Sequence, residues 1–261
     1  MDRKEFLKAV KEDPYQIENA DEAFKKDKEI VLIAVKGNGS VLEYAHDSLK
    51  KDKDVVLAAV KETGHSLDFA DKSLKKDKEI VMEAINQQGN YLEYADPTLR
   101  KDKTIVMTAI KSTGSSLEFA DKIFQKDKKV VLMAVSSHVD ALEFADNSLK
   151  KDKDIVTASV ENNGYSLSYA DPSLKKDKKI VCIAVKSNGN ALRFADASFQ
   201  RDKEIVMLAV NKTGLALKYV DKSLSKDKEI VLTAVKQAGK DALEFADKSL
   251  KKDKDILKAA I

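Results

Sequence analysis

The sequence predicts an all-α fold, an α-solenoid (superhelical array) of ten 25-residue helix–turn–helix repeats plus a C-terminal half-repeat. Three observations carry that prediction. A phrase of Asp, a basic residue and an apolar run returns with its Asp at 2, 27, 52, 77, 102, 127, 152, 177, 202 and 227, a spacing of 25, and last at 253, a spacing of 26. Self-similarity at a fixed period of this size marks units that each expose an apolar face and bury it only by stacking. Within a unit the apolar positions recur three and four apart, as in Ile30, Val31, Ala34 and Val35, which is the period of a helix. All three prolines, Pro14, Pro97 and Pro172, fall at the expected element boundaries.

The unit that opens at Asp27 is representative. Asp27 is an N-cap, its carboxylate accepting from unpaired backbone N–H groups, and Glu29 suits the positive end of the helix dipole. Helix A is predicted over residues 28–37, with Gly39 closing it in the left-handed conformation. Ser40 and Glu43 then form a capping box for a short helix B that carries Leu42, Tyr44 and Ala45. The same spacing returns at Asn90/Glu93, Ser115/Glu118, Asp140/Glu143 and Asp241/Glu244, which places the one-residue insertion at Lys240 in the A–B turn. Asp96-Pro97 and Asp171-Pro172 begin a third helical turn, since Pro suits the first position of a helix; His46 replaces that Asp in one unit. The sixth unit has Val139 in place of the turn glycine, and Val avoids positive φ, so a different A–B turn is expected there.

The array forms one domain, 1–261. Residues 1–26 are an N-terminal capping repeat, 27–252 the internal repeats and 253–261 the half-repeat. The first unit departs from the pattern at Glu5, Pro14 and Asn19, and the last at Lys258. Polar substitutions of this kind are what the exposed face of a terminal repeat requires.

Charged residues make up 35% of the chain, but 47 Lys+Arg nearly balance 44 Asp+Glu, and the net charge of +3 argues against nucleic acid as a partner. Interleaved signs fit a solvated helical surface. One Cys excludes a disulfide framework and fits a reducing, cytoplasmic location. No stretch approaches the roughly 18 apolar residues of a membrane span.

Nothing in the chain resembles a catalytic, metal or cofactor site. Cys182 takes the place of Leu32 and Met82 and reads as a small buried apolar residue. His46, His65 and His138 occupy three different places in three repeats, with no ligand spacing, and Gly37-Asn38-Gly39 lacks the third glycine and preceding strand of a dinucleotide loop. The expectation is a protein that is not an enzyme and binds no cofactor. The aromatic column Tyr44, Phe69, Tyr94, Phe119, Phe144, Tyr169, Phe194, Tyr219 and Phe245 is expected in the core.

Two sets of residues are candidates for binding. Stacking lines up the basic residue before each repeat Asp: Lys26, Lys51, Lys76, Lys101, Lys126, Lys151, Lys176, Arg201 and Lys226. That ladder either holds a polyanion or is neutralised by the neighbouring carboxylates. The second set varies inside a fixed frame: Ile33, Met133, Ile183 and Leu208 on the outer side of helix A, with Tyr91 and Tyr165 in the A–B turn. Such positions are where recognition of a protein partner would be written, although drift on an unused surface gives the same pattern.

The unit Asp-Lys-Glu-Ile-Val-Leu-x-Ala-Val-Lys, with Gly39 and Leu42-Glu43-Tyr44-Ala45, resembles domain of unknown function 4116, a repeat family of bacteria and some protists. The resemblance runs from Asp2 over almost the whole chain. It implies an α-helical array, in some proteins one delivered by an intracellular bacterium to its host cell, and it implies no catalytic residue. The expected function is therefore a non-enzymatic scaffold for protein–protein interaction. A self-associating structural element and a polyanion-binding protein stand as alternatives.

Overall fold

A computed structural model describes residues 1–260. The chain is an α-solenoid of tandem repeats with no strand among the described residues, and its helices pack as two compact units, Met1–Gln125 and Lys126–Ile261. Both units are built from the same module.

The module begins with helix A, ten residues long, as in Lys28–Gly37, Lys53–Glu62 and Lys78–Gln87 of the first unit and Lys153–Asn162 and Lys178–Ser187 of the second. The repeat Asp caps it as expected: Asp27 accepts from the backbone N–H of Glu29 at 3.0 Å and of Ile30 at 3.2 Å. Four side chains of each internal helix A are buried, Ile30, Val31, Ala34 and Val35 in the first complete example, while the first helix buries only Phe6 and Val10. Leu57, Phe69 and Leu74, at positions expected to share that core, are only half-buried.

Helix B differs from expectation in kind. It is a 3-10 helix, Gly39–Tyr44, capped by Asn38, whose side chain accepts from Ser40 N–H at 3.0 Å. Ser40 is therefore inside the helix, and no capping box forms there. The box does form at the first helix, where Asp2 and Glu5 satisfy each other's backbone. A 3-10 helix repeats every three residues, so residues three apart eclipse. Val41, Leu42 and Ala45 are buried, so the inner face takes in two adjacent residues as well as a pair three apart.

Gly39 is not left-handed. The residue that ends helix A, Asn38, is extended, and the one positive φ among the described residues is at Gly239, 59°. The turn glycine is needed for space instead: a Cβ on Gly39 would lie 2.1 Å from the carbonyl oxygen of Ala59 in the next repeat, and one on Gly89 would lie 2.1 Å from that of Ala109. At the insertion, helix A and helix B run together as Lys228–Leu243 through a kink at Gly239. In the sixth repeat, helix B is shortened to Ala141–Phe144 beside Val139; the turn differs as expected, but not through positive φ, which the glycines of the other turns before Gly239 do not have either.

Neighbouring repeats are joined by main-chain bonds. The turn Asp donates its N–H to a carbonyl 21 residues earlier, Asp71 to Lys50 at 3.0 Å and Asp96 to Lys75 at 2.9 Å in the first unit, Asp171 to Lys150 and Asp196 to Lys175 at 3.0 Å in the second. The turn glycine N–H also reaches across, from Gly89 to Ser112 Oγ at 3.2 Å and from Gly164 to Ser187 Oγ at 3.1 Å.

Candidate interaction surface

The basic residues around each repeat Asp form two rows. The residue after the Asp bridges to the next repeat's helix start: Lys53 Nζ lies 2.8 Å from both Asp77 and Glu79, and Lys203 Nζ 2.8 Å from Asp227 and 2.9 Å from Glu229. These carboxylates push the Lys53 and Lys203 ammoniums well above the ordinary lysine range. The residue before the Asp is the candidate anion ladder. Lys76, Lys101, Lys126 and Lys151 sit 3.8 Å, Lys176 3.9 Å and Arg201 3.0 Å from the turn carboxylates of Asp96, Asp121, Asp146, Asp171, Asp196 and Asp221. Lys51 and Lys226 add to the pull that Ser73 and Ser249 exert on Asp71 and Asp247, holding those carboxyls low. Lys26 has His46 in the corresponding place and makes no ion pair among the described residues. Most of the ladder is thus exposed but matched, one carboxylate per cation.

The turn carboxylates are themselves organised. Asp71, Asp96, Asp171 and Asp221 each accept from the backbone and hydroxyl of the Ser or Thr two residues on, at 2.7–3.0 Å. His46 copies this with its Nδ1 2.9 Å from Ser48 Oγ. Asp221, bonded to Ser223 and then to Arg201, is lowered to about 2.

The aromatic column is only partly enclosed, short of the expectation that it lies in the core. Every member from Tyr44 to Phe245 is half-buried. Two of the variable turn residues join this column. Tyr91 packs 6.1 Å from Tyr94 and 6.3 Å from His65, whose ring also lies 5.5 Å from Phe69 and 5.2 Å from Tyr94. Tyr165 meets Phe194 at 5.6 Å. Ile33, Met133, Ile183 and Leu208 lie elsewhere, half-buried on helix A. Ala58, at the Ile33 place, lines a shallow groove of about 340 Å³ with Leu57, Asp54 and Lys61.

Beside the column, a groove of about 300 Å³ is lined by Asp68, Lys72, Lys75, Glu93, Tyr94, Asp96, Pro97 and Arg100. Lys75 donates to the Asp68 carbonyl at 2.7 Å, and Arg100 donates to the carbonyls of Ala95, at 2.9 Å, and Glu93. Lys175 and Lys251 make the equivalent bonds to Ser168 and Glu244 at 2.6 Å. This basic place, seven residues after the exposed flank of helix B, closes the carbonyl end of that helix. The place recurs in the sequence as Lys50, Lys75, Arg100, Lys150 and Lys175.

Carboxylates also tune the column. Burial raises the Tyr169 phenol to about 12, with Glu143 and Asp140 adding to the effect. Cys182 is half-buried, and burial raises its thiol, which disfavours the thiolate form. No group of three metal-ligating side chains occurs among the described residues, and no helix there is long and apolar enough to cross a membrane.

No curated protein and no solved structure matches the chain significantly. One family model does, described as Domain of unknown function (DUF4116), over residues 2–50, 28–75, 52–100, 77–125, 102–150, 127–175, 152–200 and 202–250. Each match covers two repeats, the smallest piece that contains the glycine–carbonyl contact and the lysine rung between neighbours. The chain belongs to the DUF4116 family.

Proposed function

We propose that this chain is a non-enzymatic repeat scaffold that binds protein partners along the flank of helix B. One observation carries the reading: aromatic side chains recur at the same place in repeat after repeat and remain half-exposed, although each repeat has a separate inner row that forms its core. Half-exposed Tyr and Phe supply large contact area at low cost in side-chain entropy, which is why such residues dominate protein interfaces. Around them the chain places its most variable residues, among them His65, Tyr91, Tyr165 and Leu215, so that one frame presents different chemistry in each repeat. The matched charges of the lysine ladder weigh against a polyanion as the main partner.

Panning a random peptide display library on the immobilised full chain tests this. Enriched peptides are expected to lose at least tenfold in affinity for a Tyr94→Leu, Phe119→Leu double variant that keeps the far-ultraviolet circular dichroism of the parent. A library that yields no binder, or binders indifferent to that variant, would sink the reading.

A further inference from the structure

The residue that precedes each column aromatic changes along the chain, and where it is basic it lies over a ring of its own or the next repeat. In Lys126–Ile261 that place holds Glu143, Ser168, Arg193, Lys218 and Glu244. Arg193 carries its guanidinium over the Phe194 ring at 4.7 Å and the Tyr219 ring at 5.7 Å, and Lys218 Nζ lies 5.8 Å from the centre of Phe245. The rings of Phe194, Tyr219 and Phe245 are therefore seated with the chain's own cations. In Met1–Gln125 the same place holds Glu43, Asp68, Glu93 and Glu118, all exposed, and Glu43, Glu93 and Glu118 make no ion pair among the described residues. Among the described residues no cation of the chain lies over the rings there, Tyr44, Phe69, Tyr94 and Phe119, although Tyr15, His65 and Tyr91 pack against the first three. Lys75 and Arg100, which also line the groove at Tyr94, have donors committed to the carbonyls that end helix B, while Lys72 stands on its rim.

We infer that the aromatic column of Met1–Gln125 is a receptor for cationic side chains of an extended polypeptide, each guanidinium or ammonium resting against a ring beside its carboxylate. This rests on the scaffold reading above and names the partner's chemistry. An aromatic face attracts a cation through its quadrupole, and an adjacent carboxylate adds to that attraction. Packed helices lie about 8–10 Å apart, and an extended chain rises roughly 3.3 Å per residue. A fitting partner thus carries Arg or Lys at about every third residue.

The test uses a fluorescein-labelled twelve-residue peptide with Arg at every third position and Ser or Thr between, and its isostere with citrulline for Arg. Fluorescence anisotropy against the full chain is expected to show at least tenfold tighter binding of the Arg peptide. Tyr94→Leu, which alters no charge, and Glu93→Arg, which copies the arrangement at Arg193, are each expected to weaken that peptide at least fivefold with melting curves unchanged. Equal binding of the citrulline peptide, or indifference to both variants, would overturn the inference. If panned peptides lack Lys and Arg yet still depend on Tyr94 and Phe119, the scaffold reading stands and this inference falls. If no panned peptide depends on them, both fall.

Discussion

At the scale of single residues, the turn glycine shows how a legible position can have an illegible cause. Its place after helix A suggests a left-handed helix end, yet what requires it is a carbonyl of the next repeat, 20 residues on, which no local pattern reveals. Gly89→Ala is expected to cost about 1–3 kcal/mol in urea unfolding, because the atom in its way is backbone and cannot swing aside. At Gly239 the nearest such atom is 3.7 Å away, and any cost of Gly239→Ala comes from its φ of 59°. The capping carboxyls predict a pH response. Lys78 holds Asp102, Lys153 holds Asp177 and Lys203 holds Asp227 below the usual value of 3.8, and Asp221 falls to about 2. The folded chain consequently binds fewer protons than the unfolded one, so this stabilisation is complete above about pH 4 and drains as pH falls towards 2. The urea midpoint should decline over that window, and a midpoint that held level through it would contradict the assignment.

At the scale of elements, helix A was readable almost to the residue, because cap, period and length agree. Helix B was readable in place but not in kind. Six residues offer too little periodicity to separate 3.0 from 3.6 residues per turn, and the expectation of a fully buried Tyr44 column is a second error, one of place. The candidate site inherited that error: Tyr91 and Tyr165 were found as variable residues, while the column they join was assigned to the interior. Asp77 illustrates how one side chain serves two elements, accepting from Glu79 and Ile80 N–H at 2.9 and 3.3 Å while Lys53 bridges in from the preceding repeat. Asp77→Ala is expected to cost about 1 kcal/mol through the lost cap. Lys53→Ala should lower the urea midpoint by much less, since exposed ion pairs contribute little. A double-mutant cycle checks this, with a large coupling between the two residues counting against it.

At the scale of the whole molecule, joints that recur within each unit make the repeat the unit of change. Excising residues 77–101 would connect Lys76 to Asp102 and bring Lys53 opposite Asp102, a rung of the kind Lys78 already makes. The shortened chain is expected to keep its helical signal per residue and to unfold cooperatively at a lower urea midpoint, as nearest-neighbour stacking implies. Loss of helical signal would show that repeats are not interchangeable. The turn-to-turn bonds, such as Asp71 N–H to the Lys50 carbonyl, give this modularity a further meaning. They are made of atoms that every residue but proline possesses, so mutation of a side chain leaves them standing. A lineage carrying this fold is thus free to rewrite its outward text residue by residue, because the stitching of the pages is kept in a place that spelling does not reach.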